Sequence, residues 1–289
     1  MRKYTYIKDK VPSDVINLYL EEKSLAKVAD YYNISIGSLY NFLKKNNVDT
    51  TLDKVKQSSK VRKYKFDENY FENIDTRNKA YITGLLHSDG FINIKSNQVR
   101  LKLTDLELVK KVSDVIYENG RKLYFDSSTK ENHKPNLSLV VTSNKFMNDC
   151  IKHGCVHQKT FNLKFPTTIP EPLMGDYLRG MFDGDGCVHV NNNFKYRPAT
   201  IKIVATKNWS LGLVEWLKER DIKSTIYDDK RHDDRVTGFT ISNVQDVIKF
   251  YYLIYNNIEN ELFLDRKYEK YKDYINFKIE NTDEYINLK

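Results

Sequence analysis

The order of hydrophobic and polar positions divides the chain into three regions. Residues 11–48 place apolar side chains at helical spacing, and residues 51–66 are rich in lysine and serine without a sustained apolar face. From about residue 66 to the end, helical and strand-like patterns alternate. We therefore expect a small helical domain over residues 1–50, a basic linker over residues 51–66 and an α+β domain beyond them.

The α+β region repeats its own pattern. The segment NKAYITGLLHSDG (residues 78–90) returns as MGDYLRGMFDGDG (residues 174–186), 96 positions later. Each copy is followed by two strands, a helix, two strands and a further helix, so each unit reads αββαββα. A duplication that keeps the order of its elements predicts two similar half-domains, residues 67–170 and 171–289, around a pseudo-two-fold axis.

The first region contains two short helical patterns and a tight turn in SLAKVADYYNISIGSLYNFLKK (residues 24–45). Ser24 and Ser35 can cap the two helices, and Asn33 tolerates the left-handed conformation that such a turn needs. The residues expected to face inward are Leu25, Val28, Ala29, Ile36, Leu39 and either Phe42 or Leu43. This run resembles the helix-turn-helix of DNA-binding proteins, with residues 35–45 as the recognition helix. The expected DNA contacts are Ser35, Ser38, Asn41 and Lys44, with Lys45 as an alternative to Lys44; a helical cap without DNA contact is the other interpretation.

Small residues recur at helical spacing in both copies of the repeated segment: Ala80, Gly84 and Ser88 in the first, and Gly180 and Gly184 in the second. Residues four apart share one face of a helix, and small side chains there allow two helix backbones to approach closely. We therefore predict that the two helices pack together through Gly84 and Gly180. Each helix ends in Asp-Gly, where glycine can adopt the left-handed terminating conformation.

The two acids that end these helices, Asp89 and Asp185, stand where a carboxylate is unfavourable. The helix dipole disfavours each by about 0.3–1 kcal/mol, and packing the helices together adds repulsion between the carboxylates. A divalent cation such as Mg²⁺ would remove both penalties, since it prefers hard oxygen ligands. Paired carboxylates that hold metal ions are typical of phosphodiester hydrolysis. Two turns without any function are the alternative interpretation.

The predicted strands alternate an apolar face with a polar and basic one. Ile92, Ile94, Val99, Leu101 and Leu103 form the first apolar face, and Val188, Val190, Ile201 and Ile203 the second. Amides and cations are what base edges and phosphates require. The expected DNA-contacting residues are Asn93, Lys95, Arg100 and Lys102 in the first half, and Asn191, Lys195, Arg197 and Lys202 in the second. A solvated sheet face without DNA contact is the alternative for each of them.

Composition agrees with a nucleic-acid partner without requiring one. The 289 residues carry a formal charge of +8 and a pI near 9.0, which favours a polyanion. We expect no membrane span and no signal peptide. Three sparse cysteines, Cys150, Cys155 and Cys187, fit a reducing, cytoplasmic environment. Cys150, His153, Cys155 and His157 are spaced too tightly for a structural zinc site.

Residues 82–90, ITGLLHSDG, and residues 178–186, LRGMFDGDG, resemble the motif of the LAGLIDADG homing endonuclease family. The first copy departs from the family at His87, where an acid is frequent. The family's functional acids correspond to Asp89 and Asp185, and both are present. The resemblance extends over about residues 66–289.

This resemblance implies a monomer whose motif helices form the central interface and whose two sheets form a saddle over DNA. It implies cleavage of both strands across the minor groove, leaving 3′ overhangs. Divalent metal ions would be bound by Asp89, Asp185 and the backbone carbonyls of Ser88 and Gly184. Basic residues near the site would support the charged transition state. We assign that role to Lys159 and Lys267, with Lys102 or Lys202 as alternatives.

Three other functions remain open. An RNA maturase that helps an intron fold would need basic surfaces but not both acids. A DNA-binding regulator could keep the fold without catalysis. An intein would need a terminal Cys or Ser and a His-Asn pair for protein splicing. Because the sequence lacks them, we expect a free-standing enzyme instead.

Overall fold

The structure is a computed structural model. It describes residues 14–50, 64–118, 120–121, 123–126, 136–156, 159–190, 199–228 and 236–281. The chain divides into two compact units, residues 1–65 and 66–289. Most of the expected linker lies outside the described residues, and so do Asn191, Lys195 and Arg197.

The described residues of the first unit form three helices, α1 (Val15–Glu22), α2 (Leu25–Tyr31) and α3 (Ile36–Lys45). The side chains of Ser24 and Ser35 accept backbone N–H groups at the starts of α2 and α3, and Asn33 has a φ of 51° in the turn between them. The core of the unit consists of Val15, Tyr19, Leu25, Val28, Ala29, Leu39 and Leu43. The inward orientation expected for Ile36 is wrong: this residue is 47% exposed at the first position of α3, where no preceding turn flanks it.

The second unit contains the repeated pattern. The first half comprises α4 (Arg77–Asp89), β1 (Gly90–Asn93), β2 (Gln98–Leu103), α5 (Leu106–Ile116), β3 (Tyr124–Asp126), β4 (Asn136–Thr142) and α6 (Asn144–Lys152). The second half comprises α8 (Met174–Asp185), β5 (Gly186–His189), β6 (Thr200–Thr206), α9 (Lys207–Lys218), β7 (Thr225–Asp228), β8 (Val236–Ile241) and α10 (Val244–Tyr255). A short helix, α7 (Lys159–Asn162), follows the first half, and a long one, α11 (Asp265–Glu280), follows the second. The predicted α+β fold with duplicated αββαββα order is confirmed.

The two halves form two four-stranded antiparallel sheets with the same strand order, β1-β2-β4-β3 and β5-β6-β8-β7. Along β2, Val99, Leu101 and Leu103 are buried while Lys102 is exposed, as period-two alternation requires. The expectation that Ile94 continues the apolar face is wrong. It begins a one-turn 3-10 helix that interrupts the alternation after β1, and it is 57% exposed.

The motif helices α4 and α8 are at the centre of the second unit. Residues 80–88 of α4 are all buried, and so are residues 176–183 of α8. A helix with no solvated face must be covered on every side, so both helices serve as core for the two halves at once. No helix in the described part of the chain is long and apolar enough to cross a membrane.

Candidate active site

The motif helices cross at paired small residues. A Cβ placed on Gly84 would lie 2.9 Å from the Cα of Gly180, and one placed on Gly180 would lie 3.0 Å from the Cα of Gly84. Both positions also meet backbone oxygens of the opposite helix, from Tyr177 and Tyr81 respectively. One turn further along, Ser88 packs directly on Gly184. A methyl group at either glycine would overlap backbone, which cannot move aside as a side chain can.

The two Asp-Gly pairs end the helices differently from the prediction. Gly90 and Gly186 have φ values of −75° and −82°, so the left-handed conformation expected for them is wrong. Glycine is needed for space instead. A Cβ on Gly90 would lie 2.7 Å from the Cα of Leu86, and one on Gly186 would lie 2.7 Å from the Cα of Phe182. Each strand therefore leaves its helix in close contact with the helix's last turn.

This arrangement brings Asp89 and Asp185 together at the same end of the paired helices. Asp89 is half-buried, and its Oδ2 lies 2.6 Å from the position of a Cβ on Gly184. Loss of hydration raises the pKa of the Asp89 carboxyl, against the opposing effect of the Lys159 ammonium. Asp185 is more exposed, yet partial desolvation and then the nearby Asp89 carboxylate raise its pKa to about 6. The two carboxylates are thus close enough to destabilise each other.

Lys159 and Lys267 approach the same helix ends from opposite halves. The Lys159 ammonium donates to the Ser88 carbonyl. The Lys267 ammonium contacts four carbonyl oxygens, those of Phe182 (2.8 Å), Asp183 (2.7 Å), Gly184 (3.2 Å) and Gly186 (2.6 Å). Burial lowers the pKa of both lysines, and nearby carboxylates oppose that effect. By contrast, Lys102 and Lys202 lie exposed on β2 and β6.

The donor set suits a hard cation. Two carboxylates and the carbonyls of Ser88 and Gly184 supply oxygen ligands only, as Mg²⁺ prefers. Each carbonyl has two lone pairs, so it can accept from a lysine and still face a metal ion. The described residues contain no group of three or more His, Cys, Asp or Glu side chains placed for a metal ion. A cavity of about 270 Å³ beside the site is lined by residues that include Ser88, Lys159, Asp185, Val204 and Thr206.

Two polar bonds across the helix interface were not predicted. The Tyr81 hydroxyl donates to Asp183 over 2.7 Å, and the Tyr177 hydroxyl lies 2.9 Å from Nδ1 of His87. These two pairs are related by the same offset of 96 residues as the motifs. Burial raises the pKa of Asp183 to about 6, against its bond from Tyr81. The sequence signal that could have predicted these two bonds is the presence of polar residues at matched positions of two otherwise apolar helices.

In the hydrogen bond between Tyr177 and His87, the donor and the acceptor can be assigned. The indole Nε1 of Trp209 donates to the Tyr177 hydroxyl over 2.8 Å. That hydroxyl can then donate to Nδ1 of His87, which leaves Nε2–H of the ring to donate to the His153 carbonyl over 3.1 Å. Both ring nitrogens of His87 therefore have hydrogen-bond partners in the core.

The residues expected to contact DNA differ in availability. Asn41, Lys44, Lys95, Lys102 and Lys202 are exposed, and Arg100 is half-buried. The side chains of Ser35 and Ser38 hydrogen-bond to each other at the start of α3, and the Asn93 side chain accepts the Ser96 N–H. The side chains of these three residues already form hydrogen bonds within the protein, and a contact with DNA would have to keep those bonds or replace them.

The cysteine- and histidine-rich segment has a packing role in the structure. Cys150 and Cys155 are buried, and Nε2 of His153 lies 2.9 Å from the Phe71 carbonyl. Burial raises the pKa of the Cys150 thiol. His157 lies outside the described residues.

Comparisons with known proteins find a family model that matches part of the chain. Residues 173–266 match the family model of the LAGLIDADG-like domain. The alpha subunit of ribonucleoside-diphosphate reductase NrdEB from Bacillus subtilis is 26% identical over 219 residues, which cover 67% of this chain. The chain spans only 20% of the length of that relative.

Solved structures are also similar to this chain. The homing endonuclease I-WcaI, bound to its DNA recognition sequence, has a TM-score of 0.50 and 14% identity, covering 71% of this chain and 91% of that one. Full-length DUF199/WhiA from Thermatoga maritima has a TM-score of 0.44 and 16% identity, covering 74% of this chain and 66% of that one. The second likeness is too weak to support an inference. Residues 173–266 thus match the model of a LAGLIDADG-like domain, and the duplicated unit that contains them has the fold of the homing endonuclease I-WcaI.

Proposed function

We propose that this chain is a site-specific, metal-dependent DNA endonuclease. The observation that carries the proposal is the meeting of Asp89 and Asp185 at the ends of two tightly packed helices, with a lysine ammonium beside each. A purely structural core would gain by replacing two mutually destabilised carboxylates with neutral residues. Their presence is explained if the protein binds divalent metal ions there.

The residues present divide the chemistry of hydrolysis among themselves. Asp89 and Asp185, with the carbonyls of Ser88 and Gly184, would hold Mg²⁺. When bound, the metal would lower the pKa of a water nucleophile and stabilise the attacking and leaving oxygens. The Lys159 ammonium would add positive charge where the phosphate becomes more negative.

The substrate that fits is a long DNA duplex. The exposed Lys102 and Lys202 lie on strands of the two separate sheets, so one duplex could be held by both halves. The residues around them differ between the halves, which favours an asymmetric target. Because one chain contains both halves, we propose that it acts as a monomer. We also propose that it cuts both strands across the minor groove and leaves 3′ overhangs.

The first unit would extend this contact. Helices α2 and α3 have the order and turn of a helix-turn-helix, and Asn41 and Lys44 are exposed on α3. We propose that this unit reads additional base pairs beyond those held by the sheets.

The decisive experiment is cleavage of a randomised DNA library with Mg²⁺. It compares the wild type with the double variant Asp89→Asn/Asp185→Asn. The matched control is Asp114→Asn/Asp273→Asn, which removes two exposed acids from α5 and α11. Discrete cut sites with 3′ overhangs, present in wild type and control but absent in the first variant, would support the proposal.

Failure has three informative forms. Tight duplex binding without cleavage would point to a DNA-binding regulator. Tighter binding to structured intron RNA than to DNA would point to a maturase. Cleavage that survives in the Asp89→Asn/Asp185→Asn variant would show that the active site lies elsewhere.

A further inference from the structure

The motif residue two positions before each metal-binding acid is buried and has no part in the proposed chemistry. In the second motif helix this residue is Asp183, and in the first it is His87. Each bonds to a tyrosine of the opposite helix, and each also bonds to backbone outside the motif helices. The second bond determines where a particular segment of chain is held.

In the second half, that backbone contact lies just before a lysine of the site. Oδ2 of Asp183 accepts the N–H of Leu264 over 2.8 Å, and Leu264 is the residue that precedes α11. Lys267 is in the first turn of α11, three residues later. Its ammonium contacts four carbonyls at the end of α8, including that of Gly184. Asp183 thus bonds to the residue that precedes α11, and the first turn of α11 carries Lys267.

In the first half, the corresponding arrangement is looser. Nε2 of His87 lies 3.1 Å from the His153 carbonyl, six residues before Lys159. Lys159 begins α7, which has only four residues, whereas α11 has 16. Among the described residues, the acceptor of the Lys159 ammonium is the Ser88 carbonyl.

We propose that Asp183 and His87 are positioning residues for Lys267 and Lys159, and that the second half is held more rigidly than the first. Lys267 then acts chiefly as a fixed cation that maintains the last turn of α8 and the direction of Asp185. Lys159, for which the described part of the chain supplies one backbone acceptor, is the lysine that adjusts when metal and DNA bind. The two halves of the site therefore differ in preorganisation as well as in sequence.

The test measures how fast each lysine reacts with formaldehyde and cyanoborohydride, read residue by residue by mass spectrometry without metal or DNA. The variants are Asp183→Leu, which removes the acceptor, and Asp183→Asn, which keeps an acceptor oxygen. The matched variant in the other half is His87→Leu, and the exposed Lys218 is the internal reference.

We expect Lys267 to react more slowly than Lys159 in the wild type. Asp183→Leu should speed labelling of Lys267 by about tenfold, as loss of a buried hydrogen bond to a charged group implies, and leave Lys159 unchanged. Asp183→Asn should restore most of the protection. His87→Leu should affect Lys159 alone.

The proposal is overturned if a folded Asp183→Leu protein labels Lys267 no faster than wild type, or if both lysines become faster together. If Asp183→Leu does not fold, Tyr81→Phe replaces it, since this variant removes one hydrogen bond to the Asp183 carboxylate. Tyr81→Phe should give a smaller increase in the labelling rate, again at Lys267 alone. An unchanged labelling rate of Lys267 would overturn the proposal.

The consequence for cleavage rests on the proposed function. In a strand-resolved assay, Asp183→Leu and His87→Leu should each slow mainly one strand, and the two variants should slow opposite strands. Asp183→Asn should slow the same strand as Asp183→Leu, but by less. Equal slowing of both strands by each variant would refute unequal halves even if labelling is selective. If no protein cuts DNA, the labelling result still decides whether the lysines are positioned in this way.

Discussion

Replacing Asp185 by asparagine should stabilise the metal-free protein while it removes cleavage. Asparagine has nearly the same shape, so the change removes charge without leaving a cavity. In the folded protein the pKa of Asp185 is about 6, raised from 3.8 by desolvation and by the Asp89 carboxylate. The ionised form is therefore less favourable in the folded chain than in the unfolded chain.

The sign of the pH dependence follows from that direction. Because the folded pKa is raised, the ionised Asp185 lowers the free energy of unfolding, fully above pH 6 and not at all below about pH 4. For a fully buried carboxyl, a rise of the pKa from 3.8 to about 6 would lower the free energy of unfolding by about 3 kcal/mol. Asp185 is exposed to solvent, and screening by water reduces the penalty. We therefore expect Asp185→Asn to raise the free energy of unfolding at pH 7 by about 1 kcal/mol. For a protein of this size that is a rise of about 2–4 °C in Tm.

The assay is thermal unfolding without metal at pH 7 and at pH 4.5, with Mg²⁺ added in a second series at pH 7. The variant should unfold at a higher temperature than wild type at pH 7, and the difference should largely vanish at pH 4.5. Added Mg²⁺ should raise the Tm of the wild type more than that of the variant, because binding to the folded state alone is stabilising.

The control is Asp176→Asn, which should have the opposite effect. Asp176 is 5% exposed and accepts from Arg77 Nε and Arg179 Nη1, so its loss leaves buried positive charge unpaired and should cost about 3 kcal/mol or more. A lower Tm for Asp185→Asn at pH 7, or a difference that does not shrink at pH 4.5, would refute the reasoning about the paired acids.

Three further predictions concern packing, DNA contact and capping. Gly84→Ala should lower the free energy of unfolding by about 3 kcal/mol in urea denaturation, because its methyl group would overlap α8 backbone. The control Gly37→Ala should instead stabilise α3 by about 1 kcal/mol, because no atom lies within 4 Å of the added methyl group. Equal effects of the two substitutions would contradict the role of helix contact at Gly84. Duplex binding measured by fluorescence anisotropy should weaken steeply with salt, and Lys202→Ala should reduce the slope of log K against log salt by about 1; an unchanged slope would exclude a phosphate contact at this residue. Ser35→Ala removes the oxygen that accepts the Ser38 N–H and should speed hydrogen exchange in α3 about fivefold, whereas unchanged exchange would show that the cap contributes little.

Local patterns were enough to predict the fold. Period-two alternation marked the strands, helical spacing marked the helices, and the repeat after 96 residues showed that the order αββαββα occurs twice. The small residues around Gly84 and Gly180 indicated close helix contact, because a narrow helix face is a property of spacing alone. Even so, the expected conformation of the two Asp-Gly turns was wrong. A sequence shows that glycine is present, but whether it supplies a positive φ or merely space depends on what packs against it.

The sequence by itself thus determined the duplicated architecture and the pair of acids that ends the motif helices. The resemblance suggested Lys159 and Lys267, with Lys102 or Lys202 as alternatives. Only the tertiary structure showed that the first two approach the helix ends that carry those acids, whereas the other two lie exposed on the sheets. Lys159 and Lys267 are 108 residues apart, so the repeat of 96 does not align them, and only the folded chain brings them to matched carbonyls. It also showed that His87 and Asp183 bond to the backbone of His153 and Leu264, which precede those lysines in the chain. Such contacts join residues that are 66–90 positions apart, and a hydrogen bond at that separation depends on how helices and loops pack, which no local pattern encodes.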